Sequence, residues 1–317
     1  MTSARFDTIV RTPKLRFPKE MVRMSRADTE TPSGRRIATR LGALRVREVG
    51  SGPPAVLWHS LFVDSTTWQR MESRLGAERQ LIVIDGPGHG SSGDAGRDYT
   101  LDDCAGAASD VLDQAGVTEP VDWLGNAWGG HVGAAFAASE PDRCRTLTAV
   151  CAPVHALEPA VRRQMRASIP VYRLLGPIRP FVKTLTRGGL LSPHPDPEDA
   201  QVVADAFRRA DRRGMARAMT CVSLRRADLT PTLPAVGVPT LMIAAADDPL
   251  WRPEQARAAV RAMPRAAAIT VPGGGHVEPL LRSAPLLAQI ITDFWRDPPG
   301  VLAGSHGEPA SREPRRG

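Results

Sequence analysis

Aromatic side chains are scarce in this chain: 6 Trp, 7 Phe and 2 Tyr among 317 residues. There is no aromatic platform interleaved with the basic residues to bind nucleic acid. Lysine is scarcer still. Lys14, Lys19 and Lys183 are the only ones, so the 41 basic residues behind the net charge of +7 are otherwise arginine. That excess sits in residues 155–232, where 14 Arg and Lys stand against 7 Asp and Glu, and it reads as a solvated, arginine-rich helical segment. Cysteine is limited to Cys104, Cys144, Cys151 and Cys221, without the close pairs of a zinc or redox motif. Reduced thiols, no metal and no cofactor are expected. No apolar run reaches the length of a membrane span, and the first twenty residues lack the apolar block of a secretion signal. The expectation is a cytoplasmic protein without a membrane partner.

What is present is a rhythm of strands and helices. Residues 1–35 are mixed polar and basic and are read as an N-terminal arm that packs on the body or on a second copy of the chain, as in a homodimer. Ile37 to Thr39 and Leu44 to Val49 alternate across Leu41-Gly42 as a hairpin. Strands then follow at Ala55 to Trp58, Leu81 to Ile84, Val121 to Leu124, Leu147 to Val150, Thr240 to Ala244 and Ala268 to Val271. Between them the spacing predicts helices at Ser65 to Leu75, Leu101 to Ala115, Trp128 to Ala138, Pro253 to Ala262 and Pro279 to Trp295. Leu81 to Ile84 is apolar at every position, as a strand covered on both faces must be. The fold class is α/β, with a mostly parallel, doubly wound sheet. Residues 36–153 and 233–296 form its core. Residues 154–232, broken by prolines and helical over Glu158 to Ser168 and Glu198 to Arg225, are an inserted helical lid. Residues 297–317 read as a disordered tail.

The chain is organised around VDWLGNAWGGHVG, Val121 to Gly133: an apolar strand, a turn between glycines, and a Gly- and Ala-rich helix. Against G-x-S-x-G it fits everywhere except the middle, where Ala127 stands in place of the nucleophilic serine. A sharp strand-to-helix turn strains its central residue and needs small neighbours, which accounts for Gly125 and Gly129.

Acyl transfer through a serine also needs a histidine, an acid to orient it and donors for the oxyanion. On such a sheet these arise in loops at the carboxyl ends of strands. After Thr240 to Ala244 come Asp247 and Asp248, of which Asp248 is preferred as the acid; after Ala268 to Val271 comes Gly273-Gly274-Gly275-His276. Trp58-His59-Ser60-Leu61-Phe62 follows the first parallel strand, where the Leu61 amide can pair with that of Trp128 around an oxyanion. His89, in a glycine-rich turn, is assigned no catalytic role, and His131 is read as a helix residue rather than a proton carrier.

Together these motifs, H-S-L-F, D-G-P-G-H-G-S-S, G-N-A-W-G-G, A-A-A-D-D-P and G-G-G-H, resemble those of the α/β-hydrolases, from about Arg36 to Trp295. The resemblance implies a Ser-His-Asp esterase or lactonase in which position 127 would carry serine. LWHSLFVDSTTW is similar to the corresponding segment of enol-lactonases, and the chain as a whole resembles bacterial zearalenone lactonases. The implied ligand is a small-molecule ester or bulky hydrophobic lactone, with zearalenone as one case. Ser60, Phe62, Tyr172, Phe181, Met215, Met219 and Trp251 are the expected substrate-binding residues. Three explanations of Ala127 compete: a serine replaced by the smallest group that abolishes attack, a non-catalytic receptor on the same fold, or a nucleophile from elsewhere. Retention of the acid, the histidine and the elbow glycines favours the first, in which the chain as it stands is inactive.

Overall fold

Eight strands form one sheet: β1 (Arg35–Thr39), β2 (Gly42–Val49), β3 (Pro54–Trp58), β4 (Gln80–Ile84), β5 (Val121–Asn126), β6 (Cys144–Val150), β7 (Thr240–Ala245) and β8 (Ala266–Val271). In this computed structural model, which describes residues 34–304, the spatial order is β1-β2-β4-β3-β5-β6-β7-β8. The first two ladders are antiparallel and the rest parallel. The order reverses direction at β3, which pairs with β4 on one side and β5 on the other. Crevices for ligands open beyond the carboxyl ends of strands at such a reversal. The expected fold class is the one observed. Residues 1–33, most of the expected arm, lie outside the described residues, and Arg35 already belongs to β1.

Helices cover both faces: α1 (Gln69–Gly76), α2 (Leu101–Gln114), α3 (Trp128–Ser139), α4 (Pro159–Leu175), α5 (Arg179–Thr186), α6 (Pro197–Arg209), α7 (Arg212–Ala218), α8 (Pro253–Val260), α9 (Glu278–Leu281), α10 (Ala284–Arg296) and α11 (Pro298–Gly304). Four of them, α4 to α7, fall between β6 and β7. Several boundaries differ from the sequence expectation, each for a local reason. The expected helix from Glu198 to Arg225 is two helices, because Asp211 leaves helical geometry and caps α7 by accepting from the Gly214 amide at 2.6 Å. Beyond α7 the chain continues as a π-helical turn, Met219–Leu224, in which the Arg225 amide reaches the Thr220 carbonyl at 3.0 Å. The expected helix from Pro279 to Trp295 breaks before Ala284, where Pro285 sits in the first turn of α10 and cannot continue a preceding helix. Of the tail expected to be disordered over 297–317, residues 305–317 lie outside the described residues, while Asp297 accepts from the Gly300 amide at 3.0 Å and starts α11. Val301 and Leu302 pack on the apolar cluster beneath α10.

At the amino end of β5, Asp122 is fully buried. Its carboxylate accepts from Arg79 at 2.7 Å, from Arg145 twice at 3.0 Å and from the Thr146 hydroxyl at 2.7 Å. Arg79 also donates to the Trp295 carbonyl at 3.0 Å, which ties the end of α10 to the sheet. Removing one partner of a buried pair leaves the other charge uncompensated, at a cost of about 3–5 kcal/mol. Asp122→Ala is therefore expected to lower unfolding stability by about that amount in urea titration; a loss below about 1 kcal/mol would show that the network is not structural.

Candidate active site

The turn between β5 and α3 is closed by contacts that only glycine allows. A β-carbon on Gly125 would overlap the backbone of Gly129 and Gly130, and one on Gly129 would overlap the Trp58 carbonyl. Strands β3 and β5 and the first turn of α3 thus meet without side chains between them. The residue at the apex, Ala127, is forced to φ 47° and ψ −104°, a region that residues with a β-carbon rarely enter. Its amide donates to the Val150 carbonyl at 2.9 Å and its carbonyl accepts from the His131 amide at 3.0 Å. Asn126, which the sequence showed only as part of the motif, donates to the carbonyls of Val150 and His276, both at 3.0 Å. It joins the elbow to the histidine loop.

His276 lies in the loop after β8, and its Nδ1–H donates to Asp248 Oδ2 at 2.7 Å. The other carboxylate oxygen of Asp248 accepts from the Leu250 amide at 2.8 Å. Asp248 is buried, whereas its neighbour Asp247 is exposed and uses only its amide, on the Gly273 carbonyl at 2.9 Å. The histidine loop leans on the segment before α6: the Val277 amide donates to the Leu190 carbonyl at 2.8 Å, and Ser192 donates to Glu278 at 3.1 Å. Glu278 in turn accepts from the Gly274 amide at 2.5 Å. A β-carbon on Gly275 would meet the Leu191 backbone.

Leu61 and Trp128, the expected oxyanion donors, both line one cavity with Ala127 and His276. Buried histidines fix the loop that carries Leu61. His59 Nε2 accepts from the Gly86 amide at 2.8 Å, so its Nδ1 carries the proton that bonds the Ser60 carbonyl at 2.7 Å. His89 bonds the Pro87 carbonyl at 3.0 Å, and its ring lies 4.9 Å from that of His59 and 5.0 Å from that of Trp128. Burial lowers the pKa of His59, and burial with the nearby His59 lowers that of His89 well below its ordinary value.

The cavity has a volume of about 290 Å³, at the lower end of the ~300–1,000 Å³ usual for small-molecule sites. Ser60 and Phe62 line it as expected. Tyr172, Phe181, Met215, Met219 and Trp251 do not. Tyr172 packs against Phe181 and Phe207, with ring centroids 6.0 and 5.2 Å away. Met215 and Met219 are buried in the same apolar cluster. Trp251 is buried behind the wall, 6.1 Å from the ring of His155, which does face the cavity. Tyr172, Phe181, Met215 and Met219 pack within the segment between β6 and β7, and Trp251, after β7, packs beside His155 from that segment. Val161, Met165, Leu190, Val222 and Leu250 supply the apolar wall, and Arg226 and His131 its inner polar groups. Among the described residues no cluster of three or more His, Cys, Asp or Glu side chains could hold a metal ion, and no helix is long and apolar enough to cross a membrane.

A mostly parallel sheet with a strained strand-to-helix elbow and a histidine–aspartate pair at neighbouring strand ends defines a class of α/β proteins in which catalytic groups gather beyond the sheet. Residues 55–289 match the model of the alpha/beta hydrolase family. The chain belongs to that family. It is 28% identical over 261 residues to the pimeloyl-[acyl-carrier protein] methyl ester esterase of Xanthomonas axonopodis pv. citri, a match covering 79% of this chain and 98% of the relative. The fold is similar to that of a thermophilic esterase from Thermogutta terrifontis, with TM-score 0.74, 24% identity, and 84% and 99% of the two chains covered. It is equally close to the enol-lactonase from Burkholderia xenovorans LB400, with TM-score 0.75, 21% identity, and 83% and 100% covered.

The buried histidines make stability depend on pH. With folded-state pKa values below the ordinary 6.5, His59 and His89 stay neutral where the unfolded chain takes up protons. Their contribution is complete above pH 6.5 and is lost as the pH falls toward their folded-state values. The urea midpoint is expected to drop between about pH 7.5 and about pH 5.5, and His89→Gln is expected to shrink that drop. An unchanged drop in the variant would exclude His89 as its source.

Proposed function

We propose that the cavity is the acyl-transfer site of a carboxylic ester or lactone hydrolase in which Ala127 holds the nucleophile position, so that the chain binds its ligand without forming an acyl-enzyme. The observation that carries this reading is the strained Ala127 facing the same cavity as His276, with Asp248 at 2.7 Å behind the imidazole. A residue with a β-carbon at φ 47° costs on the order of 1–3 kcal/mol, and such strain is kept where it aims a side chain. With serine at 127, His276 Nε2 takes the hydroxyl proton as the oxygen attacks the ligand carbonyl. Asp248 holds the imidazolium, and the Leu61 and Trp128 amides bond the oxyanion. The imidazolium then protonates the leaving alcohol, and water, deprotonated by the same histidine, releases the acid. Localisation in the cytoplasm and assembly as a homodimer remain part of the proposal.

The apolar wall supports a hydrophobic acyl chain or ring. A macrolactone of the zearalenone type belongs to the same reaction class, and the cavity volume makes it the test of how far the wall can move. The methyl group at 127 also favours a second reading, a binding protein that never turned its ligand over.

Ala127→Ser separates the two. It is expected to raise ester cleavage by several orders of magnitude, since a site lacking one triad member keeps only about 10³–10⁴ over water. No turnover of any short alkyl ester, enol-lactone or macrolactone by a folded Ala127→Ser protein that still binds them would leave the binding protein. In that background Asp248→Asn is expected to cut kcat about 10⁴-fold, while the exposed Asp247 tolerates the same change. The opposite ranking in steady-state kinetics would make Asp247 the acid.

A further inference from the structure

Among the described residues four arginines are buried: Arg45, Arg47, Arg79 and Arg226. The first three each face a carboxylate, Asp85, Glu72 and Asp122 respectively. Arg226 is 8% exposed and lines the cavity. Its guanidinium instead donates to backbone carbonyls, Nη1 to Val154 at 3.1 Å and Ala227 at 3.2 Å, and Nη2 to His155 at 2.5 Å. Carbonyl dipoles solvate a cation without cancelling its charge. Burial accordingly lowers the Arg226 pKa to about 10, opposed only by Asp228. Of the five guanidinium hydrogens, three are used by these bonds, which leaves the Nε–H and one Nη2–H for a carboxylate.

Asp228, the carboxylate that acts on Arg226, is exposed and lies 3.7 Å from His155 Nδ1. Arg226 follows the π-helical turn that sets Val222 and Ser223 in the same wall, and π-helical turns recur at functional sites. His131, one helical turn from Ala127, bonds the Pro153 carbonyl at 2.8 Å, and burial and the Arg226 charge lower its pKa well below the ordinary value. It adds no charge of its own. The acidic residue of the lining, Glu158, is exposed at the start of α4, as is Arg252 at the start of α8.

We propose that Arg226 is an anion subsite of this cavity and that the ligand is an ester or lactone bearing a second, free carboxylate, gripped by Arg226 while its scissile carbonyl lies over Ala127. The proposal rests on the cavity being the acyl-transfer site argued above, and it narrows the substrate class to half-esters and acidic lactones. Arg226 is a specificity residue here, distinct from the groups that move protons.

The unmodified chain, which cannot turn these probes over through an acyl-enzyme, provides the test by calorimetry with monomethyl adipate and dimethyl adipate at neutral pH. The monoanion is expected to bind about ten- to a hundredfold tighter, the range of a charge-assisted bond. Equal affinity, tighter diester binding, or no monoester binding up to about 10 mM would overturn the proposal, and none of these readouts needs a variant. Arg226→Met is expected to abolish the preference for monoester over diester; a preference that persists places the selectivity elsewhere and also overturns it. Kinetics of Ala127→Ser on the same pair separate the two readings. No turnover of either ester with the binding preference intact removes the hydrolase and keeps the subsite, whereas turnover without preference removes the subsite and keeps the hydrolase.

Discussion

The site depends on the close approach of β3, β5 and α3, made possible by two missing β-carbons. With Gly125 against Gly129 and Gly129 against the Trp58 carbonyl, the chain has no room to pass from strand to helix in relaxed geometry. Ala127 absorbs the misfit at φ 47°. The surrounding contacts over-determine the arrangement: Val150 receives both the Ala127 amide and the Asn126 side chain, and Asn126 also reaches the His276 carbonyl. The elbow and the imidazole are thereby fixed in one frame, so the side chain at 127 and the base that would act on it are positioned by the same asparagine.

Three tryptophans gather under that frame. Trp58 lies 6.4 Å from Trp123 and 5.4 Å from Trp128, and the Trp123 indole donates to the Gly129 carbonyl at 2.9 Å. Three of the chain's six tryptophans therefore stiffen one junction. The rest of that core is rich in alanine and aliphatic side chains.

The sheet and the loops beyond it were legible because strands covered on both faces read as short apolar runs and the loop residues follow them directly. Asp247 and Asp248 were adjacent alternatives in sequence. Only the turn, which buries one carboxylate and exposes the other, separates them. The cavity wall was not legible. Helical periodicity marks the apolar face of α4 or α7 but not whether that face meets a ligand or another helix, so Tyr172, Met215 and Met219 read as wall and fold as core. Arg226 was hidden for a different reason: in a segment crowded with exposed arginines, nothing local distinguishes the one that is buried.

The anchorage of the histidine loop has a mechanical consequence. Leu190, Leu191 and Ser192 hold that loop through the Val277 amide, the close approach at Gly275 and Glu278. Displacing this stretch to admit a ligand would drag the imidazole with it. The opposite rim is differently made: of the residues in α4 only Tyr172 is buried, and Val161 and Met165 face the cavity from that helix. The cavity is thus bounded on one side by a stretch tied to the histidine loop and on the other by a helix that buries only Tyr172.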